Sequence, residues 1–293
     1  MSESLRVLCP AKVNLYLRVV GRRPDGYHEV VTVMQPLSLA DELTAALGGR
    51  GISLECDHPD LPRGEANLVW QAALKFGEAT GQRSGVSFRL RKRIPLAAGL
   101  GGGSSDAAGA LLALNSLCGK PLPQARLHEL AGLLGADVPF FLGRGPAVGR
   151  GIGSQLSPVS LPPYCYLLVN PGLPLSTRWV YENLDLGQLT ASPERDTWNS
   201  EHPEEWVVND LATVACKRFP ELHHLLGSLK QLGARAQGLS GSGPTVFGLF
   251  PTLEAAREAG RRVRRSFSGW LAVAQGLTGQ ETDLTWENRV WMI

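Results

Sequence analysis

Cysteine is sparse and unpatterned in this chain. Its five residues, Cys9, Cys56, Cys118, Cys165 and Cys216, stand far apart with no CxxC pair, which excludes both a disulfide framework and zinc-site spacing. Surplus charge is missing too. With 29 basic residues against 27 acidic ones the net charge is +2, too little to mark a nucleic-acid or bilayer surface. Long apolar runs are absent: no stretch approaches the ~18 uninterrupted apolar residues of a membrane span. The opening "MSESLRVLCP" has neither the basic flank nor the apolar core of a signal peptide. A soluble, cytoplasmic protein acting on small molecules is the expectation. Aromatic residues do not interleave with "AREAGRRVRRSF", so Arg257, Arg261, Arg262, Arg264 and Arg265 read as a solvated helical face rather than a nucleic-acid stripe.

What is present is a chain of 293 residues, 43% of them hydrophobic, enough for two modest cores. Pro158, Pro162 and Pro163 mark its most linker-like stretch. Domains over 1–158 and 159–293 are expected. In "AKVNLYLRVV" Ala11, Val13, Leu15, Leu17 and Val19 share one face and Lys12, Asn14, Tyr16 and Arg18 the other, the period of a half-buried strand. A Pro-Asp-Gly turn and a second strand-like run predict an antiparallel pair. "DELTAAL" and "GISLEC" read as further short strands, "ANLVWQAALKFGEATG" as a helix stopped by Gly81, and "GVSFRLRKRIPL" as a strand. Helices are expected over 104–117 and 123–134. Beyond the linker the pattern predicts a strand "YCYLLVN", helices over 206–219 and 221–232, two strands flanking "GLSGSGPTVFGLF", a helix from Leu253 and a final strand "WLAVAQGL". That mix suggests an α+β second domain.

"PLAAGLGGGSSDAAGALLALN" sets Gly99, Gly101, Gly102 and Gly103 directly before a helix. It matches neither a Walker A sequence nor the dinucleotide GxGxxG spacing. Orphan N–H groups at a helix start and along glycines still make an anion site, and a polyphosphate fits it. The plainer reading is a tight turn capped by Ser104 or Ser105, with Asp106 suiting the helix dipole. One cap does not require four glycines; Asp106 itself is assigned to the dipole.

Other candidates carry two readings each. Lys12 and Asn14 share the polar face of the first strand, where Asn is depleted, so the pair is either a solvated face or a site. Asp137 in "LLGADVPFFL" is an N-cap before a Pro-led turn or a functional acid in an apolar setting. Tyr27 and His28 follow a turn. In "GLSGSGPTVFGLF", Gly238, Gly241 and Gly243 with Ser240 and Ser242 form a long hairpin turn or a second glycine-rich wall against a ligand.

Taken in order, "PAKVNLYLRVVGRRPDGYHEV", "GLGGGSSDAA", "LGADVPFF" and "GLSGSGPTVF" resemble the kinases of the galactokinase, homoserine kinase, mevalonate kinase and phosphomevalonate kinase superfamily. The resemblance runs from Pro10 to about Gly248. "AKVNLYLRV" with "RPDGYHEV" is similar to the branch that phosphorylates a cytidine diphosphate ester in non-mevalonate isoprenoid precursor synthesis. The resemblance implies an α+β fold with a ribosomal-protein-S5-like N-terminal domain and a ferredoxin-like C-terminal domain. ATP would lie between them as phosphoryl donor, with Mg2+. It makes Asp137 the catalytic base and Lys12 its charged partner near the transferred group. Gly99, Gly101, Gly102, Gly103, Ser104 and Ser105 would wrap the phosphates, and Asn67 would contact adenine. Asn14 would hold the acceptor, Tyr27 and His28 would contact its cytosine, and Tyr181 in "STRWVYENL" would stack on the other face, with Trp179 as the other aromatic candidate. For Ser105 an indirect magnesium role is the expectation, and no direct metal ligand is read from the sequence. Ala97 and Ala98 depart from the family pattern, where the loop often has glycine. The remaining alternatives are another kinase of the superfamily, against which "DGYHEV" argues, and a nucleotide-binding protein that has lost the reaction, against which Lys12 and Asp137 argue.

Overall fold

The computed structural model describes residues 4–82, 84–143, 145–189, 197–279 and 290–292. The chain starts in a long hairpin of β1 (Ser4–Arg22) and β2 (His28–Leu47). Its turn is built as Pro-Asp-Gly chemistry requires: Gly26 takes φ 87° and the Asp25 carboxylate accepts from Tyr27 N at 3.1 Å. "DELTAAL" belongs to β2 instead of forming a strand of its own, because no turn residue interrupts "SLAD" and residues 42–47 go on to pair with β4 (Val86–Arg91). β3 (Ile52–Cys56) lies parallel to β4, while β5 (Ala147–Arg150), carrying β6 (Gln155–Pro158), pairs with the first half of β2.

Three helices lie with this sheet: α1 (Leu68–Thr80), α2 (Gly102–Leu117) and α3 (Gln124–Leu134). Gly81 closes α1 in the left-handed conformation, as the sequence pattern indicated. Small residues let α2 lie directly on β1. A Cβ added at Gly109 would meet the Cys9 sulfur at 2.5 Å, so this crossing leaves no room for a side chain. Val7, Cys9, Leu43, Phe88 and Leu90 of the sheet and Leu111 and Leu114 of α2 form the resulting core, each large apolar side chain contributing ~1.5–3 kcal/mol on full burial.

A second sheet is antiparallel throughout, ordered β11 (Trp270–Gln275), β7 (Cys165–Asn170), β10 (Val246–Phe250), β9 (Ala236–Leu239). Its helices are α4 (Thr177–Glu182), α5 (Leu211–Arg218), α6 (Pro220–Gln231) and α7 (Leu253–Arg264). The arginines of α7 are surface residues, and Arg261 pairs with Glu254 and Glu258. The helix expected from Trp206 begins only at Leu211. Val208 and Asn209 form β8 instead, parallel to Tyr16 and Leu17 of β1, so long-range pairing overrides the local pattern there. β12 (Val290–Met292) also returns to β1, antiparallel to it. Among the described residues no helix is long and apolar enough to cross a membrane.

The two sheets meet over the second half of β1. Ala11, Val13, Leu15 and Tyr16 share one core with Tyr166, Leu168, Trp206 and Phe247. This is where the simple alternation fails: Lys12, Asn14 and Tyr16, placed by sequence on the polar face of a half-buried strand, are buried as fully as their neighbours. The β1–β2 register shifts between Pro10 and Lys12 and again between Asn14 and Tyr16. Irregularities of this kind re-aim side chains, and the two at issue carry the candidate chemistry.

Candidate active site

Lys12 is only 3% exposed, a position a lysine holds only with partners for its charge. Its ammonium donates to Asn14 Oδ1 at 2.6 Å and pairs with Asp137 Oδ2 at 3.3 Å. Asn14 is itself oriented, donating from Nδ2 to Thr32 Oγ1 at 2.8 Å while its backbone N–H reaches Ser240 Oγ at 3.3 Å. The solvated-face reading of Lys12 and Asn14 is therefore wrong. The capping reading of Asp137 fails as well. The 3₁₀ turn that follows spans Pro139–Leu142 with Val138 at its cap position and no side-chain cap bond. The Asp137 carboxylate stays 38% exposed, facing Lys12 on one side and solvent on the other.

The glycine loop connects β4 to α2, the order strand, loop, helix read from sequence. Gly99 and Gly101 sit at φ 76° and 72°, and Ala97 takes φ 49° without being glycine. Four successive carbonyls of the loop are turned into the protein. Thr245 N donates to Ala98 O (3.3 Å), Ser240 Oγ to Gly99 O (2.9 Å), Lys12 N to Leu100 O (2.9 Å) and Ser105 N to Gly101 O (2.9 Å). Backbone N–H groups point away from their carbonyls, and those from Gly99 to Ser104 have no partner among the described residues. The loop thus presents an array of donors at the start of a helix dipole, the arrangement that receives phosphate. Neither Ser104 nor Ser105 caps the helix: Gly101 occupies the cap position, and Ser105 Oγ is buried without a hydrogen-bond partner. Close packing explains the glycines. A Cβ on Gly99 would fall 2.2 Å from Ser240 O, and one on Gly101 would fall 2.8 Å from Phe141 Cζ and 3.1 Å from Lys12 Cε.

The second glycine segment forms the opposite wall. Gly241 stands at φ 56°, its Cβ position 3.3 Å from Asn14 Oδ1 and 3.6 Å from Lys12 Nζ. Buried Asn209 holds it there by donating to Leu239 O at 2.8 Å and Gly241 O at 2.7 Å. Ser242 Oγ bonds Thr177 Oγ1 at 2.8 Å, tying this wall to α4.

One turn further along α4, Tyr181 meets His28 with ring centroids 5.1 Å apart. Burial first, and then the Asp137 carboxylate, push the Tyr181 phenol up to about 12; burial lowers the His28 imidazole, with Arg22 adding to the effect. The arrangement differs from two tyrosines enclosing a ligand, because His28 already covers part of Tyr181. Tyr27 is 61% exposed beside them. Trp179 lies under the Arg218 guanidinium, 5.6 Å from its ring centroid. Asn67 caps α1, accepting from Val69 N at 2.9 Å and donating to Pro62 O at 2.7 Å.

Asp106 departs most from expectation. It is buried within α2 instead of serving the helix dipole, and it pairs with Lys92 Nζ at 2.6 Å. Lys92 bonds in turn to Asp41, which also accepts from Arg93 N at 2.6 Å and Ile94 N at 2.9 Å. Burial pushes the Asp106 carboxyl up to about 7, Lys92 opposing and Asp41 adding to the shift. Burial works against the Lys92 charge, but Asp106 and Asp41 outweigh it and raise its pKa. Sequence reasoning passed over Lys92 and Asp41. The signal was available: an aspartate inside the small, apolar helix "SSDAAGALLAL" needs a buried cation, and a basic residue stands just before the loop.

The chain matches the family of GHMP kinases N terminal domains over residues 67–145 and that of GHMP kinases C terminal domains over 208–269. It is 43% identical over 277 residues to the 4-diphosphocytidyl-2-C-methyl-D-erythritol kinase of a Geobacter species, covering 93% of this chain and 98% of that one. The enzyme of that name from Syntrophotalea carbinolica is 44% identical over 274 residues, with 91% and 96% covered. A crystal structure of 4-(cytidine 5'-diphospho)-2C-methyl-D-erythritol kinase superposes with TM-score 0.80 at 39% identity, covering 92% of this chain and 99% of that one. Homoserine kinase from Cytophaga hutchinsonii shares the fold, with TM-score 0.73 at 19% identity. By these matches over nearly its whole length the chain, with its backbone donor array, buried lysine and carboxylate brought together, belongs to the GHMP kinases, and among them to the 4-diphosphocytidyl-2-C-methyl-D-erythritol kinases.

Proposed function

We propose that this chain transfers the γ-phosphoryl group of ATP to the 2-hydroxyl of 4-diphosphocytidyl-2-C-methyl-D-erythritol, in non-mevalonate isoprenoid precursor synthesis. The observation that carries the reading is the meeting of the Lys12 ammonium, the Asp137 carboxylate and the N–H array of the glycine loop at one place. Asp137 accepts the proton of the acceptor hydroxyl as that oxygen bonds to the γ-phosphorus and the bond to the bridging oxygen breaks, releasing ADP. The acceptor is a hindered, weakly acidic tertiary alcohol, for which a positioned base contributes ~10²- to 10⁴-fold. Lys12, held by Asn14 and Asp137, places positive charge where the transferred group gains negative charge. The N–H groups from Gly99 to Ser104 hold the polyphosphate with the glycine loop's carbonyls turned away.

The residues present fit a magnesium ion bound chiefly through the nucleotide. Among the described residues no cluster of three His, Cys, Asp or Glu could hold a metal, whereas the unpartnered Ser105 hydroxyl lies at the N-terminal end of α2 and is the group to which we assign an indirect role towards the ion. When bound, Mg2+ neutralises charge on the phosphate oxygens. We place ATP mainly on residues 1–158, with residues 159–293 completing the acceptor side. There Tyr27, His28 and Tyr181 receive the cytosine, with stacking worth ~1–3 kcal/mol and edge hydrogen bonds supplying base selectivity.

Steady-state ADP release tests the reading with two acceptors, the cytidine diphosphate ester and methylerythritol phosphate without a nucleotide. The ester is expected to have the higher kcat/KM by about a hundredfold or more, as stacking and edge contacts are lost together. Tyr27→Ala should raise its KM by about tenfold at unchanged KM for ATP. Equal kcat/KM for both acceptors would remove the cytidine pocket and leave a kinase of another alcohol.

A further inference from the structure

The Lys92 cluster belongs to no step of the reaction just described, yet it is the most enclosed group of charges beside the phosphate site. Lys92 and both of its carboxylate partners are at most 3% exposed. Ionic groups are not buried at this density without a consequence for structure, because each loses its hydration and must be repaid by geometry.

The geometry is specific to the glycine loop. At the loop's entry, Asp41 of β2 fixes the backbone by accepting from Arg93 N and Ile94 N. At its exit, Asp106 projects from the second turn of α2. Lys92 bonds to both, so a single ammonium links the strand before the loop to the helix after it. The same ammonium lies 3.3 Å from where a Cβ of Gly102 would be, directly behind the first residue of α2. We propose that Lys92 is a positioning residue for the phosphoryl donor, clamping the two ends of the glycine loop through Asp41 and Asp106 and so holding the N–H array in place beside Lys12.

The inference rests on the proposed binding of ATP at this loop, and direct binding measurements separate the two. Calorimetry of the full chain with ATP and magnesium is paired with steady-state KM for the cytidine ester and with thermal melts. If the parent protein does not bind ATP, the functional reading itself fails. If it does, Lys92→Met and Asp106→Leu should each weaken ATP binding by about tenfold or more, as the donor array loses its preorganisation. The acceptor KM should stay within about twofold, since uniform acceptor binding is untouched. Asp106→Asn keeps an amide oxygen to accept from Lys92 and should recover parental ATP affinity to within about threefold. A general structural role would shift melting without this split or this recovery. The double variant Lys92→Met with Asp106→Leu removes opposite charges together and leaves Asp41 with its two N–H donors, which keeps the test open where Lys92→Met alone does not fold. Folded variants that bind ATP as the parent does would overturn the proposal. So would a double variant that fails to fold at all, because the cluster would then serve the whole domain and not the loop.

Discussion

Replacing Asp137 by Asn tests the proposed base with the smallest change of shape. Two effects have to be separated. The first is electrostatic. Opposite unit charges 3.3 Å apart attract by about 5 kcal/mol at an effective dielectric of ~20. The Asp137 side chain is 38% exposed, however, and solvent reduces a pair of this kind to about 1 kcal/mol or less. Losing it therefore lowers stability only slightly, and Lys12 keeps Asn14 Oδ1 as a partner at 2.6 Å. The second effect is chemical. An amide cannot take the hydroxyl proton, and removing a general base costs ~10²- to 10⁴-fold in kcat, or about 2.7–5.5 kcal/mol of transition-state stabilisation. ATP binding should be nearly unaffected, with a Kd within about threefold of the parent, because the donors are backbone N–H groups of Gly99 to Ser104. The assay is ADP release at saturating cytidine ester, beside calorimetry of ATP binding and a thermal melt. A variant that retains a third or so of the parental kcat would refute the base assignment, since no positioned base contributes so little. A variant that loses ATP binding in proportion to kcat would refute the division of labour between Asp137 and the loop.

Two further substitutions follow from the geometry. Gly101→Ala forces a side chain into φ 72° with Phe141 Cζ at 2.8 Å and Lys12 Cε at 3.1 Å, so it should cost ~1–3 kcal/mol of stability and weaken ATP binding. Gly103→Ala meets only Leu68 Cδ1 at 3.7 Å and should melt no lower than the parent, which a lower melting temperature would contradict. Asp106→Asn should change how stability depends on pH. With its pKa raised from 3.8 to about 7, folded Asp106 holds its proton more tightly than the unfolded chain does, so parental stability falls as pH rises from 4 towards 7 and the full penalty persists above 7. Asn carries no such penalty, and its advantage over the parent should grow from pH 4.5 to pH 8. An equal difference in melting temperature at the two pH values would exclude the raised pKa.

The parts of this molecule that are legible in sequence are those whose cause is local. Clustered glycines before "SSDAA" announce backbone in unusual conformations, and the loop does place Gly99 and Gly101 at positive φ ahead of α2. The Pro-Asp-Gly hairpin and the Gly81 helix stop have equally local signatures. Lys12, Asn14, Asp137 and Asp106 do not. In strand alternation Lys12 and Asn14 are indistinguishable from solvated residues, and what buries them is a second sheet and Ser240, 226 positions away from Asn14. Asp137 before Pro139 satisfies every rule for a helix cap, yet its carboxylate turns to Lys12. Asp106 suits the helix dipole by position and is taken up by Lys92. For Asp106 a weak local preference, worth ~0.3–1 kcal/mol for a dipole, competes with the larger cost of leaving the buried Lys92 ammonium without a partner. The burial of Lys92 thus decides where Asp106 points. A sequence reader can use the same inequality in reverse: an acid within an apolar helix implies a buried cation, and a lysine or arginine beside the nearest glycine loop is the first place to look for it.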